Sequence, residues 1–173
     1  GIALAELKTR VKNCFEAGAL AAGCDVEIQW ALGDYLEIKD CWPLAERYKA
    51  NAESLGLSFF PLEKIPTTGA GSTDMGNVSH RVPSIHPMIA CAPPHVVIHN
   101  PEFAKYAGSE TGDAAVLDGA KALAMTAIDV MTDDQLLKDA RDQFNETADL
   151  SAQAVAQAWH GDGDAALGGC GCC

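Results

Sequence analysis

Apolar residues recur at Leu7, Val11, Cys14 and Phe15 between Leu4 and Ala22, with Gly18 on the same stripe, a spacing that predicts an amphipathic helix. Gly23 stands where such a helix ends in a glycine cap. Val26, Ile28 and Trp30 then alternate with Asp25, Glu27 and Gln29, the period of a half-buried strand, and YLEIK after Gly33 and Asp34 predicts a second. In CWPLAERYKANAESLG, Pro43 opens a helix, Gly56 closes it, and Leu44, Tyr48 and Leu55 share one face. From Phe59 to Pro94 the pattern turns rich in Pro and Gly, which predicts loops and short strands. HVVIH follows, where contiguous Val96, Val97 and Ile98 predict a buried strand.

Two helices are expected to close the chain. Val116, Ala120, Leu123, Ala124, Ala127, Ile128 and Met131 form an apolar stripe at helical spacing. Thr132, with Gln135 three positions on, has the spacing of a capping box, from which a helix is expected to run to about Trp159. Beyond it, the tail from His160 is rich in Gly and Asp and is expected to be loose.

Composition narrows the classes. A chain of 173 residues with 48% apolar content has enough material for one sizeable core. Its formal charge of −12 repels nucleic acid and anionic lipid, so neither is an expected partner. No apolar run reaches the roughly 18 residues of a membrane span, because Lys121 and Asp129 interrupt even AKALAMTAIDVM. Four of the seven cysteines, Cys14, Cys24, Cys41 and Cys91, lie in apolar segments and fit reduced, buried thiols in a cytoplasmic protein. The other three sit in GGCGCC at the end, which reads as a flexible tail or as a metal-binding or lipidated module. GIALAELKTR enters a helix at once without a signal-peptide pattern, so processing or truncation is expected to have removed what came before.

Candidate chemistry concentrates between residues 71 and 99. GSTDMGNVSHRVPSIHP combines glycines that permit close backbone approach with Ser72, Thr73, Asp74 and Asn77, which hydrogen-bond either local backbone or a bound polar group. Four of the five histidines, His80, His86, His95 and His99, fall within twenty positions. On a strand, His95 and His99 would stand about 13 Å apart, too far to share one ion. No closed Cys/His metal spacing, nucleophile elbow, Walker loop or dinucleotide fingerprint is present.

Those same segments carry a resemblance. GSTDMGNVSHRVPSIHP and HVVIHNPEFAKYAGSETGDAAVLDGAKALAMTAIDVM resemble the C-terminal part of the dinuclear metal-dependent amidohydrolases of the aminoacylase and carboxypeptidase G family. Within that family they are most similar to the branch of aminobenzoyl-glutamate hydrolase subunits and β-alanyl-lysine dipeptidases. The resemblance extends over about residues 1 to 135. It implies an α/β fold: residues 1–38 end a βαββαβ lid and dimerisation domain, 39–159 form the C-terminal part of a zinc-peptidase-like catalytic sheet flanked by helices, and 160–173 are a flexible tail.

The implied activity is metal-dependent hydrolysis of an amide bond in a dipeptide or N-acyl amino acid, with two divalent ions, zinc or manganese, and a homodimer formed through the lid. His99, in IHNPEFA, matches the family's last metal ligand, the reading the resemblance favours; as a residue alone it reads as an exposed strand end. The resemblance makes Gly71, Ser72, Thr73, Asp74, Asn77, His80 and His86 candidates for substrate binding or for orienting the metal ligands. Asp74 is the main candidate for a positioning carboxylate, with turn capping as its alternative. His80 and His86 either line the cleft or are structural. The general base and the lid histidine of the family find no match, so the chain is expected to be incomplete and inactive alone.

Overall fold

A computed structural model describes residues 2–30, 33–60 and 73–158. They form seven helices, α1 (Ile2–Ala22), α2 (Trp42–Ser54), α3 (Met75–Ser79), α4 (Pro101–Ala107), α5 (Glu110–Thr132), α6 (Asp134–Asn145) and α7 (Ala148–Ala158). The helix ends follow the sequence signals at Gly23 and Gly56, both in the left-handed region at φ 68° and 88°, where glycine carries no Cβ penalty. No helix among the described residues is long and apolar enough to cross a membrane.

Contacts divide the chain into two units. One gathers the described residues of Gly1–Lys39, Gly71–Val82 and Thr147–Cys173, the other those of Asp40–Ala70 and Pro83–Glu146. Neither unit is a continuous stretch of chain.

The expected catalytic sheet is not found among the described residues. No regular strand forms there, and an isolated parallel bridge joins Asp40 to Ser84. Val26, Ile28 and Trp30 have no neighbouring strand among the described residues to build a ladder with, and Val26 and Trp30 are exposed. Trp30 instead receives the Lys8 ammonium 4.8 Å from its ring centroid. HVVIH is not a strand either. Val96 donates its amide to Pro93 O at 2.9 Å, closing a turn, and only Val96 of its three apolar residues is buried.

In the first unit the extended run from Asp34 to Lys39 is held by side chains. Asn77, on α3, donates from Nδ2 to Asp34 O at 2.9 Å and accepts from Leu36 N at 3.0 Å. Ser79 Oγ accepts from Lys39 N at 2.9 Å and donates to Gly76 O at 2.7 Å. Gly76 permits this approach, since a Cβ there would lie 1.8 Å from Leu36 O. The run is tied further by Asp34 N to Ala158 O at 2.8 Å, at the end of α7, and by the Lys8–Asp34 ion pair at 2.8 Å.

The second unit centres on α5, which packs against α2, α4 and α6. Tyr48, Ala52 and Ala122 make its core, joined by Leu55, Leu57 and Ile85, with Phe59 edge-on to Tyr48 at 6.3 Å. Beside it, Asn51 Nδ2 donates to Thr126 Oγ1 at 3.1 Å and Asp129 Oδ2 at 2.8 Å. Arg47 bridges Asp129 and Asp133 at 3.5 and 2.8 Å.

Asp133, rather than Thr132, caps α6: its Oδ1 accepts from Gln135 N and Leu136 N, while the Thr132 hydroxyl bonds back to Ile128 O. The single helix expected up to Trp159 is two, because the chain turns at Glu146 and Thr147 and restarts where Ser151 N bonds Thr147 O. Two cysteine expectations also change. Cys41 is buried and Cys91 half-buried, but Cys14 and Cys24 are exposed on α1 and just after it, where that helix packs little of its length.

Two outcomes follow from these contacts. Gly76→Ala, which drives a methyl into backbone, and Asn77→Ala, which strands a carbonyl and an amide, each lower stability by about 1–3 kcal/mol in urea unfolding. Both also speed hydrogen exchange at the Leu36 amide. Val78→Ala, on the exposed side of α3, shifts stability by less than about 0.5 kcal/mol.

The hydrogen bonds from Leu136 N and then the Arg47 guanidinium hold the Asp133 carboxyl below its ordinary pKa. A lowered folded-state pKa means the contribution is complete above the unfolded value of about 3.9 and is lost as pH falls through the folded one. The gap in urea midpoint between the native chain and Asp133→Asn therefore holds above about pH 5 and narrows as pH falls below about 4.

Candidate functional site

The candidate residues divide between the two units. Thr73, Asp74, Asn77 and His80 belong to the first, His86 and His99 to the second. Gly71 and Ser72 lie outside the described residues, as does the GGCGCC tail with its metal-binding or lipidation reading.

In the first unit the polar run does two different things. Asn77 and Ser79 spend their hydrogen-bonding groups on the extended backbone from Asp34 to Lys39. His80 joins them, with Nε2 3.1 Å from Glu37 O. A carbonyl only accepts, so Nε2 is the donor there and Nδ1 is the other ring nitrogen. That Nδ1 is shut off from water with no hydrogen-bond partner among the described residues. Each of these three side chains is thus in contact with backbone of the Asp34–Lys39 run.

Thr73 and Asp74 differ from them. Thr73 Oγ1 accepts from Met75 N at 3.3 Å and lies 3.4 Å from Asp74 Oδ1, to which it donates. Asp74 occupies the position before α3 in a helical backbone conformation and makes no capping bond to the helix. Its carboxylate is exposed, tethered by Thr73 alone among the contacts seen there. The turn-capping alternative for Asp74 is thus not the one adopted.

In the second unit His99 is held in the left-handed region at φ 64°, the single non-glycine residue among those described with a positive φ. Histidine tolerates this region better than most side chains, but at a cost. What fixes the conformation is Asn100. Its Oδ1 accepts from Glu102 N and Phe103 N at 2.8 and 3.0 Å, and its Nδ2 donates to Val97 O at 2.6 Å. One amide thereby caps α4 and closes the turn that carries His99. Asn100 was not a sequence candidate, although Asn-Pro at a helix start is an N-cap signal; the strand reading of HVVIH obscured it.

The His99 ring is exposed, as are His86 and His95. Because HVVIH is a turn, the strand argument that separated His95 from His99 no longer applies. Among the described residues, no group of three or more His, Cys, Asp or Glu is arranged to hold a metal ion. The described residues therefore do not form a metal centre by themselves, and His99 lacks the two or three further ligands that such a centre needs.

Comparison with known proteins adds a separate line of observation. No family model matches the chain. It is similar to the Xaa-Arg dipeptidase of Homo sapiens, 38% identical over 138 residues that cover 80% of this chain and 31% of that protein. It is also similar to the Xaa-Arg dipeptidase of Mus musculus, 37% identical over 138 residues, 80% of this chain and 32% of that one. Both are named as dipeptidases, and neither supports the aminobenzoyl-glutamate branch of the resemblance. The chain spans about a third of the length of these relatives.

Proposed function

We propose that this chain is the C-terminal part of a metal-dependent dipeptidase, in which His99 supplies one metal ligand and the Thr73–Asp74 corner positions substrate. The observation that carries the reading is the similarity to the Xaa-Arg dipeptidases over four-fifths of the chain. The strained backbone of His99 adds to it, since such strain concentrates at ligand clamps and active sites. The substrate class is a dipeptide ending in arginine, and a formal charge of −12 favours the approach of such a cationic molecule.

In this reading the other ligands and the general base come from polypeptide beyond these 173 residues, and the chain alone is inactive. A pair of divalent ions, zinc or manganese, would supply an activated water and a Lewis acid. The chain's own residues do less: His99 donates a ring nitrogen, Asp74 offers a tethered carboxylate, and Asn77, Ser79 and His80 hold the corner that carries it. Gly71, Ser72 and His86 are each proposed as substrate-binding residues, and a homodimer formed through the lid belongs to the proposal.

The test compares the 173-residue chain with the longer polypeptide of the same reading frame, each assayed for metal content and for hydrolysis of dipeptides ending in arginine. Only the longer form is expected to bind about two ions per chain and turn over substrate. His99→Ala in that form should lower kcat/KM by about 100-fold or more, because even partners outside the ligand shell cost 10–100-fold. It should lower metal content as well, with an unchanged circular dichroism spectrum. Full activity in His99→Ala, or hydrolysis unaffected by chelation, would overturn the assignment.

A further inference from the structure

The side-chain amide of Asn100 works in two directions. Oδ1 accepts from Glu102 N at 2.8 Å and Phe103 N at 3.0 Å, which caps α4. Nδ2 reaches back past His99 to Val97 O at 2.6 Å. A serine hydroxyl supplies the cap about as well as an amide does, but capping uses it up and leaves nothing to reach Val97. Pro101 holds the residue before it extended, at φ −136° and ψ 164°, which sets the direction from which the Asn100 side chain starts.

We infer that Asn100 is the positioning residue for His99, and that it acts through Nδ2 rather than through the helix cap. The inference rests on the proposed reading, in which the His99 ring is a metal ligand, and adds to it the group that aims the ring. The Nδ2 bond closes the turn from Val97 to Asn100, with His99 third in it. That is the position at which a tight turn takes a left-handed backbone, and His99 takes it at φ 64° without being a glycine. The turn is anchored on both sides: Val96 is buried and donates its amide to Pro93 O at 2.9 Å, and Asn100 O accepts from Ala104 N at 3.2 Å. Between these anchors Val97, Ile98 and His99 are exposed, so burial does not choose their backbone and the Nδ2 bond does. With that bond removed, the strained residue relaxes to negative φ and its ring leaves the direction it now has. A ligand that is already aimed loses less freedom on binding.

Asn100→Ser and Asn100→Ala separate the two directions, since serine keeps the cap and loses Val97 while alanine loses both. In the 173-residue chain the urea midpoint should stay close to native in Asn100→Ser, where relaxed strain offsets the lost bond, and fall in Asn100→Ala. In NMR spectra of the same chain, the intense cross-peak between the amide and Hα protons of His99, the mark of a left-handed residue, should be lost in both variants. In the longer polypeptide of the same reading frame, zinc affinity measured by competition with a chelator should fall about 10–100-fold in Asn100→Ser, and further in His99→Ala. A His99 cross-peak that persists in Asn100→Ser overturns the inference. Native zinc affinity in Asn100→Ser, where His99→Ala has lost it, overturns it as well. Zinc binding unchanged in His99→Ala would instead sink the metal reading, and loss of the cross-peak in Asn100→Ser would still show Asn100 setting the His99 backbone.

Discussion

Backbone amides and carbonyls withdrawn from water must find partners, and the run from Asp34 to Lys39 imposes that demand on the first unit. It is extended, yet no strand lies beside it among the described residues. Side chains answer in place of a strand: Asn77 takes one donor and one acceptor, Ser79 a second donor, and His80 the Glu37 carbonyl. Three polar residues within four positions can do this only if their backbone comes very close, and Gly76 is what lets it. The glycine-punctuated polar run is thus first a device for holding the chain to itself. At its leading corner Asp74 is exposed and Thr73 half-buried.

The second unit meets a different constraint with the same economy. Ala52 and Ala122 are fully buried, and their small side chains bring α2 close enough to α5 for Asn51 to reach Thr126 and Asp129. The face of α5 that does this packing is built from Gly, Ala and Thr. A search for hydrophobic periodicity passes over it, since the signal belongs to the larger residues on the other side. The sequence therefore marks the helix by its larger apolar residues, while the face buried within this chain is the one of small residues. Size, not hydropathy, decides which side of a helix a near neighbour can reach.

Helices were legible because their signals are local. Pro43, Gly23 and Gly56 act through backbone geometry that needs no distant residue, and the observed ends agree with them. Strands were not, because an extended segment becomes a strand only when another lies alongside, and no alternation at Val26, Ile28 and Trp30 can report whether one does. The same limit applied to the candidate site. Asn77 and His80 were visible as polar residues, but their commitment to residues about forty positions earlier was not. Asn100 was missed for a local reason: a contiguous apolar run outweighed an Asn-Pro cap that lay next to it.

His99 brings these strands of reasoning together. A left-handed backbone at a non-glycine residue costs about 1–3 kcal/mol and persists only where its surroundings over-determine it. Here the surroundings are Asn100, whose amide is fixed at both ends by the α4 cap and the Val97 carbonyl. A helix cap could be built without forcing the preceding residue into this region, so capping alone does not account for the strain. Nor does burial, because the imidazole is exposed and gains no packing from it. In the proposed reading the compensation lies outside this chain: a ring nitrogen already aimed by its backbone loses little further freedom on meeting an ion, and the strain stored in the free turn is repaid when it does.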